Sequence, residues 1–95
     1  MFADLDPLLH SQLRLAVISL LMSLDSAEFT YIKEQTGSTA GNLSVQLDKL
    51  SEAGYIKITK SFRDKKPLTT CNITKKGIAA FEKYVNDLKN YINKK

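Results

Sequence analysis

A mostly helical α+β domain is predicted by three features of this sequence. Apolar residues recur at helical spacing in three segments, the period drops to two across a charged turn before the last of them, and glycines at Gly37 and Gly54 terminate a short second helix and the third. Ninety-five residues can build one core, which buries about two thirds of the unfolded surface and leaves little room for a deep catalytic cleft. With 43% hydrophobic and 25% charged residues, the chain matches ordinary globular proteins rather than disordered or fibrous ones. No repeat, linker or low-complexity tract divides it, so residues 1–95 are expected to form a single domain.

The first helix is expected from Pro7 to about Leu24, because Asp6 is an N-cap candidate and proline suits the first helical position. Leu9, Leu13, Ala16, Val17, Leu20, Leu21 and Leu24 form one stripe, and Leu8, Leu15, Ile18 and Met22 a second. A helix so apolar needs cover on two sides, and a second copy of the chain is the expected source of the second cover. Ser26 to Thr30 is a short link able to pair as a brief strand, and Thr30 can cap a short second helix that ends at Gly37. Ser38 or Thr39 then caps a third helix running to Ala53, with Leu43, Leu47 and Leu50 turned inward and Gly54 as terminator. Two helices joined by a tight turn containing glycine are the outline of a helix-turn-helix.

Beyond Gly54, residues Tyr55, Lys57, Thr59 and Ser61 alternate with Ile56, Ile58, Lys60 and Phe62, the pattern of a half-buried strand. Arg63 to Pro67 reads as a charged hairpin tip and Leu68 to Ile73 as the returning strand. Thr74 caps a last helix, Lys75 to about Asn93, whose Ile78, Phe81, Val85, Leu88 and Ile92 make a short heptad seam flanked by Tyr84 and Tyr91. The seam packs on its own domain near Ile78 and Phe81. Its distal Leu88, Tyr91 and Ile92 are hard to bury within one chain and call for a two-fold partner helix. Leu9, Leu13 and Val85 complete the expected dimer interface, so residues 1–25 and 75–95 are read as dimerisation helices.

The net charge of +4 is unevenly placed. Met1 to Tyr31 holds Arg14 against Asp4, Asp6, Asp25 and Glu28, whereas Ile32 to Lys95 carries thirteen Lys or Arg against six acids, a net +7. Segregated positive charge suits a polyanion, although a solvated Lys-rich face has the same composition. The longest apolar stretch, Leu15 to Met22, is far short of the roughly 20 residues that span a bilayer. Met1 to Pro7 carries Asp4 and Asp6 and no basic residue, the opposite of a secretory leader, so a cytoplasmic protein is expected. The single Cys71 agrees with a reducing compartment and reads as buried filler on the returning strand. His10, also alone of its kind, is expected in a helix or at the dimer interface, and two such solitary residues cannot build a metal site. No P-loop, nucleophile elbow, paired carboxylates or dinucleotide fingerprint is present, so neither catalysis nor a cofactor is expected.

Two phrases carry a resemblance. Gly41-Asn42-Leu43-Ser44-Val45-Gln46-Leu47-Asp48-Lys49-Leu50-Ser51-Glu52-Ala53-Gly54-Tyr55-Ile56 looks like the recognition helix and first wing strand of the winged helix-turn-helix regulators related to the MarR and ArsR families. Cys71-Asn72-Ile73-Thr74-Lys75-Lys76-Gly77 looks like their end of wing, where a strand runs into a Thr-capped helix. The chain as a whole is similar to the compact stand-alone members of that group. The resemblance implies a three-helix core, a two- or three-stranded wing and a C-terminal dimerisation helix. It further implies that the third helix enters the major groove of double-stranded DNA. The residues turned from the core there are Gly41, Asn42, Ser44, Val45 and Lys49, with Thr39 and Gln46 at the margins. Asn42 and Gln46 suit adenine, Ser44 and Thr39 several groups, Val45 a thymine methyl and Lys49 a phosphate.

In the wing, Arg63, Lys65 and Lys66 are placed to straddle phosphates or reach a minor groove, with Lys33 of the second helix on the backbone. The expected activity is sequence-specific binding of a palindromic operator by a homodimeric transcriptional regulator, a repressor. The alternative is a winged helix serving as a protein–protein interaction module without sequence-specific DNA binding. A sensor with a small-molecule effector pocket between the dimer helices is a third reading, for which the chain is short. The metal-sensing branch of the ArsR group is departed from, for want of a ligand cluster.

Overall fold

Seven elements follow one another in the computed structural model, which describes Phe2 and residues 4–92. They are α1 (Gln12–Leu24), β1 (Ser26–Glu28), α2 (Phe29–Thr36), α3 (Ala40–Glu52), β2 (Ile56–Arg63), β3 (Lys66–Ile73) and α4 (Lys75–Ile92). Four helices and a three-stranded antiparallel sheet of order β1-β3-β2 make the winged helix fold. The expected end of the last helix, Asn93, lies outside the described residues.

The first helix starts at Gln12, not at Pro7. Asp6 does cap, but it caps a single turn: its Oδ1 accepts the Leu8 N–H at 2.9 Å and its carbonyl accepts the His10 N–H at 2.9 Å. Ser11 is then extended, with φ −149° and ψ 129°. A continuous helix would bond the Leu8 carbonyl to the N–H four residues on. Here Arg14 Nε donates to that carbonyl at 2.6 Å instead, and the break turns Leu9 fully into the core. Leu9 is therefore a core residue of its own chain, whereas Leu24 at the end of α1 stays 43% exposed. That helix touches α2, α3, α4, β1 and β3 of its own chain, with Val17, Ile18 and Leu21 buried.

α1 closes on Asp25 at positive φ (φ 67°, ψ −45°), whose N–H donates to the Leu21 carbonyl at 2.7 Å and whose carbonyl accepts the Ile73 N–H at 2.9 Å. The chain thus passes directly into β1, paired with β3 through Ser26–Asn72, Ala27–Cys71 and Glu28–Thr70. Because Glu28 leaves the strand straight into the helix, α2 begins at Phe29 and Thr30 lies inside it rather than capping it. Gly37, at φ 67°, ends α2 as expected. Thr39 Oγ1 accepts the Asn42 N–H at 3.2 Å and caps α3, while the Ser38 hydroxyl partners Thr36 at 2.9 Å. Leu43, Leu47 and Leu50 are buried together with Ile32, Ile56 and Cys71. Burial pushes the Cys71 thiol up to about 11, so it stays protonated near neutral pH.

The hairpin is tighter than its composition suggests. Asp64 and Lys65 alone form the turn, both with positive φ (52° and 67°), and Arg63 pairs directly with Lys66. Pro67 is consequently a strand residue opposite Phe62. β1 ends opposite Thr70, so Pro67 occupies an edge position where its missing N–H costs no ladder bond.

Thr74 caps α4 as expected, accepting the Gly77 N–H at 3.0 Å, and its hydroxyl donates to the Gly54 carbonyl at 2.6 Å. Gly77 is required here: a Cβ at this position would lie 2.2 Å from the Tyr55 carbonyl oxygen. Facing the core, α4 presents Tyr84, buried, with its hydroxyl 3.0 Å from His10 Nδ1, and beside it Phe81 and Leu88. Tyr84 is thus a core residue rather than a flank of the seam, and His10 lies in the N-terminal turn rather than in a helix. Ile78, Val85 and Ile92, seven residues apart, form a separate strip that ends in the 70% exposed Ile92.

Candidate nucleic-acid interface

Two elements meet on one side of the molecule, the N-terminal half of α3 and the sheet face that carries Ile58 and Lys60, and the hairpin tip extends beyond them. The turn Gly37-Ser38-Thr39 sets α3 against α2, and the inward Leu43, Leu47 and Leu50 leave Gly41, Asn42, Ser44, Val45 and Lys49 exposed. Val45 is half exposed with no polar group to justify it in water. The first turn of α3 carries no acidic residue, so the N–H groups that the Thr39 cap leaves over and the positive end of the helix dipole favour an anion.

Not every sequence-predicted residue stands free. Gln46 is half-buried, accepts a hydrogen bond from Arg14 Nη1, and donates from Nε2 to Asn42 Oδ1 at 3.1 Å. The Arg14–Gln46–Asn42 chain ties α1 to α3 and orients Asn42 with its amide Nδ2 still available to donate. Gln46 is thereby a positioning residue more than a reader of bases. Thr39, engaged through its oxygen as the cap, keeps its hydroxyl proton.

On the wing, Lys65 and Lys66 are exposed at the tip, but Arg63 is paired with Glu28, Nη2 to Oε2 at 2.7 Å. The register explains why. Arg63, Ser61 and Thr59 share the sheet's outer face with Glu28 and Thr70, whereas Ile56, Ile58, Lys60 and Phe62 share the face toward α3. Ala40, Ser44, Asp48, Ile58, Lys60 and Thr69 line a groove of about 370 Å³ between α3 and the wing. Lys60 was missed by the reading of the wing as a charged tip. The signal was present in the alternation, since a lysine in phase with Ile56 and Ile58 is a cation on an otherwise apolar face. Lys33 is exposed on α2.

Of the remaining expected interface residues, Leu13 and Val85 are half-buried, Leu88 packs on the core, and Tyr91 stacks on Phe2 with ring centroids 4.6 Å apart. Tyr55 ties the N-terminal segment to the root of the wing, its hydroxyl donating to Asp6 Oδ2 at 2.5 Å. Burial first and the Asp6 carboxylate second push the Tyr55 phenol up to about 12. Among the described residues no group of three His, Cys, Asp or Glu could hold a metal ion, and no helix is long and apolar enough to cross a membrane.

A bare second helix in a helix-turn-helix, set beside a basic hairpin, defines a DNA-binding protein of the winged helix-turn-helix class. The sequence of residues 13–92 matches the model of the winged helix DNA-binding domain family, and the chain belongs to that family. It is 37% identical over 79 residues to an uncharacterized protein of Methanocaldococcus jannaschii, an alignment that covers 83% of this chain and 86% of that one. Among solved structures it is similar to a transcriptional regulator homologue of Pyrococcus horikoshii, with a TM-score of 0.85 and 28% identity over 90% of this chain and 85% of that one. A MarR family transcriptional regulator of Silicibacter pomeroyi shares the fold at a TM-score of 0.70 and 16% identity, with 92% of this chain and 60% of that one covered.

Proposed function

We propose that the chain is a transcriptional regulator that binds a palindromic duplex operator as a homodimer and represses by occluding a promoter. The observation that carries this reading is the exposed, acid-free N-terminal half of α3, flanked across the groove by Lys60. In this reading α3 lies in the major groove. Asn42, Ser44 and Val45 face base edges, Lys49 a phosphate, and Ala40 and Gly41 bring the backbone close. Lys65 and Lys66 hold the flanking backbone. Arg63 joins them only by giving up Glu28, an exposed pair worth little in water. The dimer forms along the Ile78–Val85–Ile92 strip with Tyr91, setting the two α3 helices one duplex turn apart, about 34 Å.

Selection of bound sequences from a random duplex pool at about 0.1 M salt tests this, because loose charge attraction is damped once the Debye length is near 10 Å. The expected result is an inverted repeat with half-sites about 10 bp apart. Binding should weaken steeply with salt, with a log-log slope near −7 if each subunit neutralises about four phosphates. A pool that stays random, together with a monomeric chain, would replace this reading with that of a protein-interaction module.

A further inference from the structure

Phe62 is 75% exposed, the most exposed large hydrophobic side chain among the described residues. It stands one residue from the hairpin turn, on the sheet face shared with Ile58 and Lys60, and its cross-strand partner Pro67 is itself exposed and gives it no cover. Nothing in the fold requires an aromatic ring there. A hairpin end is most cheaply finished with polar residues, as the neighbouring Ser61, Arg63, Asp64, Lys65 and Lys66 are.

Resting on the duplex-binding reading, we infer that Phe62 is an apolar wedge that the wing drives into the minor groove beside the α3 half-site, against the sugars and the edge of one base step. Three observations fix the occupant as nucleic acid. Lys60 on the same face and Lys65 in the turn flank the ring, while Arg63 and its cross-strand partner Lys66 stand on the opposite face of the hairpin and Asp64 is the only acid within four residues, so the hairpin end is complementary to phosphates. The ring is solitary: a stable protein interface needs about 800 Å² per partner, whereas one base step offers the area of a single ring. The reach also fits. Phe62 lies six residues beyond the buried Ile56, about 20 Å along the strand, and the minor groove next to an occupied major groove is half a duplex turn away, about 17 Å. The lysines would hold the hairpin on the two backbones, and the ring would favour flanking steps that unstack easily, such as TA or CA. The wing would then contribute sequence preference and not only charge.

The test uses the enriched palindromic duplex carrying 2-aminopurine at the flanking step, with the full chain and its Phe62→Ala, Phe62→Leu and Lys65→Ala variants. The unmodified chain should raise the 2-aminopurine fluorescence by unstacking the step. Phe62→Ala should abolish that rise and weaken binding at least tenfold, a loss of the order of one stacked base, without changing the salt slope. Phe62→Leu should recover part of both. Lys65→Ala should keep the fluorescence rise and make the slope shallower by about 1.8 for the dimer. Full affinity and full fluorescence in Phe62→Ala would overturn the wedge while leaving DNA binding in place. Failure of the unmodified chain to bind any duplex would instead overturn the duplex-binding reading and this inference with it.

Discussion

Gly41 occupies the second position of α3, where a Cβ would meet nothing within 4 Å. Glycine inside a helix costs roughly 0.5–1 kcal/mol relative to alanine, and here neither a positive φ nor a crowded neighbour repays that cost. Close approach of a phosphate to the helix N-terminus would repay it. Gly41→Ala is accordingly expected to raise stability by about 0.5–1 kcal/mol in urea unfolding while lowering duplex affinity about tenfold. A variant that gains stability and loses no affinity would show that the missing side chain serves neither purpose. Gly77 is the opposite case. Its Cβ would collide with the Tyr55 carbonyl, so Gly77→Ala should destabilise by about 1–3 kcal/mol, visible as a lower denaturation midpoint. From sequence alone these two glycines are alike, each near the start of a helix, and only the distances to neighbouring backbone separate them.

At the scale of elements, what the sequence made legible was local. Periodicity located α3, its three leucines, the Thr39 and Thr74 caps and the alternation of β2, because each depends on residues within a turn or two. What it hid was long-range. The orientation of Asn42 depends on Arg14 reaching Gln46 32 residues on, and the neutralisation of Arg63 on Glu28 35 residues back. No pattern of spacing reports such pairs. The hairpin shows a further limit, since a two-residue turn with both φ values positive favours Asn-Gly or Asp-Gly, and this chain places Lys65 where glycine belongs. A left-handed non-glycine residue costs about 1–2 kcal/mol. Lys65→Gly should therefore raise the melting temperature, by about 4–8 °C for 1 kcal/mol in a domain of this size, while removing one phosphate contact per subunit. Thermal scans and salt titrations on the same variant read the two effects separately, and an unchanged or lower melting temperature would mean the turn is not limited by that residue.

For the molecule as a whole, the radius of gyration of 14.4 Å exceeds the roughly 12 Å of a compact chain this long, and the principal extents are 56 × 25 × 21 Å. An elongated 95-residue chain leaves α4 and the hairpin with little cover of their own, which is the geometry a two-fold partner would complete. Substituting Val85 and Ile92 together by Glu should convert a dimer into monomers by light scattering and reduce operator affinity by at least a hundredfold; an unchanged dimer would move the interface off this face. Asp6 and His10, by contrast, already have their partners within the chain, and those partners come late: Tyr55 for Asp6, and Tyr84, 74 residues on, for His10. During synthesis at about 5–20 residues per second, between roughly 4 and 15 s pass before the partner of His10 has been made. The helix-turn-helix and hairpin, built from near neighbours, have that interval in which to organise first, so the His10–Tyr84 contact closes only after α4 has been made.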